Sequence, residues 1–229
     1  DASLDVETMV DTLRSTKGRS YSACPSVADW ERAFGEDDDV LAFTITSGLS
    51  GSFRAACAAK LNCEENSPSR RICIIDSLST GPEIVLLIEK AVSELSAGAD
   101  FDAVCRSVQD YQRRTHLIFA LESLHNLAQN GRVGKLAAAA AGMLGIRAVG
   151  TTSDEGTLDL LGKCRGRKRT VDFLQEEMER LGYTGGCVRI GHCRNTDSTG
   201  ELRTAILHRF PGANIRIYTL RGLCSYYAE

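Results

Sequence analysis

One stretch restricts the folds open to this chain more than any other. From Val40 to Ile45 the sequence is apolar, partly β-branched and short, as in a strand buried on both faces. From Arg54 it becomes alanine-rich and helical. Between them lies Ser47-Gly48-Leu49-Ser50-Gly51-Ser52, three serines and two glycines with no acidic side chain. In a parallel sheet such a loop sits at the carboxyl end of a strand and opens onto the positive end of the next helix. Free hydroxyls and unpaired backbone amides there converge on a spot suited to a small anion, and Gly48 and Gly51 let the backbone approach it closely. The same residues also suit a plain helix cap, with Ser50 or Ser52 as acceptor and the glycines making the turn. From the loop alone both readings stand.

The pattern repeats. A second buried strand, 71–75, ends in Asp76-Ser77-Leu78-Ser79-Thr80-Gly81, and helical sequence resumes at Pro82, a good first-turn residue. A further helix, 101–114, follows Asp100. Upstream, 1–16 reads as an amphipathic helix, and Ser26 caps a short helix carrying Val27, Trp30 and Phe34. Strand, helix, strand, helix with short connections predicts an α/β fold with a mainly parallel sheet. From His116 the pattern changes. A strand at 117–121 and a short helix at 122–128 lead to a turn with two cations, Arg132 and Lys135, then to a nearly all-alanine helix at 136–144. Asp154-Glu155-Gly156-Thr157 reads as a hairpin turn, and the basic run from Lys163 to Arg169 as the opening of a helix at 170–181. A strand at 187–192, a helix at 202–210 and a strand at 215–218 follow. The expectation is two α/β lobes, 1–115 and 116–229.

Composition excludes several function classes. The net charge of −3 gives no basis for electrostatic capture of nucleic acid. No apolar run is long enough for membrane insertion. Nine cysteines are scattered, odd in number and without a C-x-x-C, so a reducing cytoplasm is expected, with neither disulfides nor structural zinc. No metal spacing links His116, His125 and His208, so no metal is expected. No Walker-type lysine follows the loop, which speaks against a nucleoside triphosphate, and no cofactor is expected.

Three chemistries remain. A serine hydrolase would use Ser50 with His192, which ends a strand, and Asp76 as orienter, although the loop lacks G-x-S-x-G spacing. Non-covalent anion capture would use Ser22, Ser47, Ser50 and the Ser77-Ser79-Thr80 loop as neutral donors, suited to a carboxylate or to the phosphate of a phosphosugar. The basic run with Arg132 and Lys135 suits either solvated surface or partner docking.

Several separated segments together resemble the DegV family of bacterial fatty-acid-binding proteins. Ser22-Ala23-Cys24-Pro25-Ser26 is similar to the family's T-S-Q-P segment, and Ile45 through Phe53 to its S-S-x-L-S-G-T-Y signature. Ile75-Asp76-Ser77-Leu78-Ser79 resembles its I-D-S-x-x-x-S loop. Leu121 through Lys135 resembles L-x-x-L-x-x-G-G-R-I-x-K, and Gly156-Thr157-Leu158 followed by Cys164-Arg165-Gly166-Arg167-Lys168 its G-x-L and arginine-rich segments.

The resemblance implies a ligand cleft between the two lobes, with the second lobe covering a long acyl chain. It implies a non-catalytic carrier that presents the fatty-acid carboxylate to a separate fatty-acid kinase, which makes the acyl phosphate. Ser22 and Ser50 would hold the carboxylate, with Ser47 and the Gly51 backbone nearby, and Arg165 and Arg132 would dock the kinase. A monomer is expected. Ser22 stands where the family has threonine, and the family's late H-T-G-P-G histidine has no counterpart in Thr219-Leu220-Arg221-Gly222-Leu223-Cys224-Ser225. Family members also begin and end with further strands, so both chain ends are expected to be trimmed.

Overall fold

The computed structural model describes residues 4–15, 18–137 and 145–228. The chain packs into two compact units. One holds residues 23–115 with the short turn 153–157, and the other the chain up to Ser22, residues 116–152 and everything from Leu158 onward. This differs from a division into 1–115 and 116–229 at two places. The first segment packs with the later one because Arg194 pairs with Glu7 and Asp11, and because Ser20 meets the Tyr226 hydroxyl at 2.7 Å. Such anchors, far apart in the chain, leave no trace in local periodicity.

In the unit of residues 23–115, α2 (Val27–Phe34) opens on a capping box. The Ser26 hydroxyl accepts from the Asp29 amide, and the Asp29 carboxylate accepts from the Ser26 amide. Strand β1 (Asp39–Thr44) runs parallel to β2 (Arg71–Asp76), Thr44 lying opposite Asp76. Side chains alternate between the faces of this pair. Ala42 and Ile72 pack with Phe34, Ala56 and Ala59 of α2 and of α3 (Ser52–Asn66). Ile75, with Leu41 and Phe43 beside it, packs against Leu87, Ala91, Val104 and Val108 of α4 (Pro82–Ser96) and α5 (Phe101–Gln112). The sheet is thus covered on both faces, as the unbroken apolar runs predict. Because the strands are parallel, both end on the same side, and the loops that follow them lie together.

The other unit carries α1 (Val6–Ser15) and two sheets. β3 (Ile118–Leu121), β4 (Ile146–Thr152) and β5 (Leu158–Arg165) form an antiparallel sheet, between whose first two strands α6 (His125–Gln129) intervenes in sequence. Val149 and Cys164 pack there with Leu174 of α7 (Arg167–Arg180). β6 (Gly186–His192) and β7 (Ala213–Thr219) pair in parallel around α8 (Thr196–Arg209), and α9 (Gly222–Ala228) follows.

Four expectations change. α3 extends to Asn66 rather than ending near Leu61. Lys163 and Arg165 finish β5, pairing with Ala148 and Ile146, so the basic run straddles a strand end and a helix start. α8 begins at Thr196, six residues before the expected helix at 202, and α9 adds a helix where no element is expected. Of the alanine-rich helix expected at 136–144, residues 138–144 lie outside the described residues.

The cysteines are all free thiols. Burial, with the Cys73 thiol alongside, pushes Cys105 up to about 12, and burial also raises Cys57 and Cys164. Among the described residues, no helix is long and apolar enough to cross a membrane, and no cluster of His, Cys, Asp and Glu could hold a metal ion.

Candidate functional site: a serine-glycine loop and a serine-arginine-tyrosine cluster

The loop after β1 is held from three directions. Thr46, fully buried, donates its hydroxyl to the Gly156 carbonyl at 2.9 Å and accepts the Gly48 amide at 3.0 Å. Its own amide donates to the Ser79 carbonyl at 2.8 Å, which ties the loop after β1 to the loop after β2. The Asp76 carboxylate accepts both the Ser47 amide (3.1 Å) and the Leu78 amide (3.1 Å), bracing the two loops with one side chain. The turn 153–157 closes the third side. A β-carbon on Gly48 would come 2.8 Å from the Gly156 carbonyl oxygen, a close approach that only glycine permits.

These bonds use most of the amides that the sequence suggested were free. Ser47 is committed to Asp76, Gly48 to the Thr46 hydroxyl, and Leu49 and Ser50 to the Thr46 carbonyl. Ser77 turns inward, its hydroxyl donating to the Ser79 carbonyl and accepting the Ser79 amide. What remains open is narrower. The Ser50 hydroxyl oxygen accepts the Ser52 amide at 3.2 Å, which leaves its proton available to an outside acceptor. The Gly51 amide, at the start of α3, has no acceptor among the described residues. Cys24 packs on Gly51, its sulfur 3.2 Å from where a β-carbon would stand. The Ser79 hydroxyl is buried and likewise without a partner among the described residues. The plain cap reading of Ser50 or Ser52 fails, because the cap position of α3 falls on Gly51, which has no side chain to bond, and Ser52 is already helical. The Ser50–Ser52 bond is a serine turn just ahead of the helix, and it orients Ser50 as a donor.

Ser22 lies in the other unit, in a cluster of its own. Its hydroxyl is 2.6 Å from the Tyr227 hydroxyl, and Arg132 Nη1 donates to Ser22 Oγ at 3.2 Å and to the Tyr227 oxygen at 2.6 Å. The guanidinium also stacks over the Tyr227 ring, 5.6 Å from its centroid. Asn130 accepts the Ser22 amide and donates to Tyr226. Arg165 is exposed at the end of β5, and its side chain has no partner among the described residues. Its neighbours Arg167 and Arg169 are paired with Glu201 and Glu176.

A family model described as "Uncharacterised protein, DegV family" matches residues 1–228. The chain belongs to the DegV family. A DegV domain-containing protein of Streptococcus pneumoniae strain R6 is 42% identical over 229 residues, all of this chain and 82% of that protein. Two solved structures are equally similar. A DegV family protein from Eubacterium eligens, loaded with heptadecanoic acid, superposes with a TM-score of 0.96 at 41% identity, covering 100% of this chain and 83% of that one. The Streptococcus pneumoniae Fatty Acid Kinase (Fak) B3 protein, loaded with linoleic acid, also gives 0.96 at 41% identity, covering 100% and 82%.

Of the residues considered for a serine hydrolase, Ser50 and Asp76 belong to one unit and His192 to the other. His192 Nδ1 accepts the Asn195 amide (3.4 Å), so this nitrogen faces its own turn rather than a carboxylate. Asp76 is spent on two backbone amides beside Ser50. Sequence reasoning missed Thr46 and Tyr227. Thr46 had a signal, a hydroxyl in line with the buried face of β1, two residues beyond Thr44. Tyr227 had none, because its partners lie 205 and 95 residues away.

Proposed function

We propose that this DegV-family chain is a carrier without catalysis of its own, binding a long-chain fatty acid and presenting its carboxylate to a separate fatty-acid kinase. The observation that carries this reading is the Ser50–Gly51 pair. Among the described residues, one hydroxyl proton and one amide at a helix start are left without acceptors, in a loop that holds no acid to repel an anion. Neutral donors of this kind hold a carboxylate and supply neither a base nor a metal to transform it. The Ser47 hydroxyl is assigned to the same head group, and Ser22 carries the second proposed hydroxyl. Burying an acyl chain contributes about 0.8 kcal/mol per methylene, ample for micromolar or tighter binding after ordering costs. The lipid-loaded relatives support the ligand class, and the kinase named for one of them supports the partner. Arg165, exposed and unpaired among the described residues, is the proposed docking contact. Arg132, assigned to docking by its motif, is committed to Ser22 and Tyr227 and is reassigned to the head-group cluster.

The test is native mass spectrometry of the purified protein before and after solvent extraction. One intact fatty acid per chain, lost on extraction, is the expected result. A phosphosugar in its place, or an acyl group that stays covalently on Ser50 after denaturation, would overturn the carrier reading.

A further inference from the structure

We infer that Tyr227 fixes the direction of the Ser22 proton, making Ser22 a one-way hydrogen-bond donor that selects an acidic lipid head group over a neutral one. This rests on the carboxylate reading above and goes beyond it by naming the residue that sets the selectivity.

The argument is a count of protons and lone pairs. A serine hydroxyl has one proton and two acceptor sites, a phenol likewise, and a guanidinium can only donate. Arg132 Nη1 has two hydrogens, and it gives bonds to Ser22 Oγ at 3.2 Å and to the Tyr227 oxygen at 2.6 Å. Both oxygens therefore accept from the arginine. The 2.6 Å contact between the two hydroxyls then holds a single proton, given by one partner to the other. A phenol is the stronger acid of the pair, and a guanidinium on its oxygen polarises its O–H further. Tyr227 gives and Ser22 receives. Both acceptor sites of Ser22 are thereby filled, by Tyr227 and by Arg132, and its own proton points away from the cluster. Such a hydroxyl is a strengthened donor and a poor nucleophile. It gives a carboxylate a charge-assisted bond, roughly twice as strong as the neutral bond it gives the oxygen of a fatty alcohol, and it has no site left to accept the alcohol's own O–H.

The phenol is well held for this role. Arg132 lies over its ring, and the Tyr226 ring meets it edge-on with centroids 4.7 Å apart. Tyr226 is itself tied by its hydroxyl to Ser20 and Asn130, and by its carbonyl to the Asn126 side chain. Removing the Tyr227 hydroxyl alone leaves these ring contacts in place, so Tyr227→Phe isolates the proton from the packing.

The experiment measures Kd of the delipidated full chain for oleic acid and for oleyl alcohol, in the wild type, Tyr227→Phe, Ser22→Ala and the double variant. Tyr227→Phe is expected to weaken the acid about tenfold and leave the alcohol within about twofold. Ser22→Ala should erase the same preference, and adding Tyr227→Phe to it should change nothing more. A Tyr227→Phe protein that loses acid and alcohol equally, or keeps its preference for the acid, would overturn the inference and leave the carrier reading standing. A wild type that binds the alcohol as tightly as the acid would remove the carboxylate reading itself. Should Tyr227→Phe fold poorly, Tyr226→Phe is the control, since it loosens the same helix but must keep the acid preference.

Discussion

Gly156→Ala is expected to cost the protein about 2–5 kcal/mol of stability, and fatty-acid binding with it. The added methyl would lie 1.9 Å from the Thr46 hydroxyl and 3.2 Å from the Leu78 α-carbon, inside the contact that braces both loops. Its backbone, at φ +73°, lies in the left-handed region, which costs a residue with a β-carbon about 1–2 kcal/mol before any clash. The overlap adds about 1–3 kcal/mol more, since Thr46 is fully buried and cannot step aside. Relief requires the turn 153–157 to lift, which breaks the Thr46–Gly156 bond and releases the Gly48 amide from its acceptor. Urea unfolding followed by circular dichroism, with fatty-acid titration of the same samples, checks both losses. A variant within about 0.5 kcal/mol of the parent would show that the turn does not brace the loop.

Ser50→Ala comes next, with an expected weakening of fatty-acid binding by about 1–3 kcal/mol, roughly ten- to a hundredfold in Kd. Two bonds are lost, one to the ligand and one from the Ser52 amide. The second is a turn bond just ahead of α3, and losing it removes about 1 kcal/mol of stability by itself. Stability and affinity therefore separate: the melting temperature falls by a few degrees while affinity falls by an order of magnitude or more. Isothermal titration at a temperature well below both melting points reads the affinity alone. Equal affinity for parent and variant would take Ser50 out of the head-group site.

Much of the site was legible because short-range chemistry dictates it. An apolar run ending in serines and glycines without an acid can do little but end a buried strand and start a helix, and β1, the loop and α3 follow that order. The Ser26–Asp29 capping box and Pro82 at the start of α4 mark helix starts for local reasons also. Reading failed where pairing partners are distant or local signals are weak. Lys163 and Arg165 look like the start of a helix, but β4 recruits them as strand. Residues 196–201, polar and carrying Gly200, read as loop although they open α8. α9 lacks a capping residue and shows no apolar period. Its two tyrosines gain meaning only through Ser20, Ser22, Asn130 and Arg132, none of them near in sequence. The direction of the Ser50 proton was equally hidden, since it depends on which amides the rest of the loop had already claimed.

The central claim is that the hydroxyl after β1 holds the acidic end of a lipid, and a crystal structure of the chain with a bound long-chain fatty acid tests it most directly. The expected result places one carboxylate oxygen within hydrogen-bond distance of Ser50 Oγ, with the Ser52 amide still bonded to that oxygen from behind. A carboxylate bound away from Ser50, its hydroxyl facing only solvent, would contradict the account.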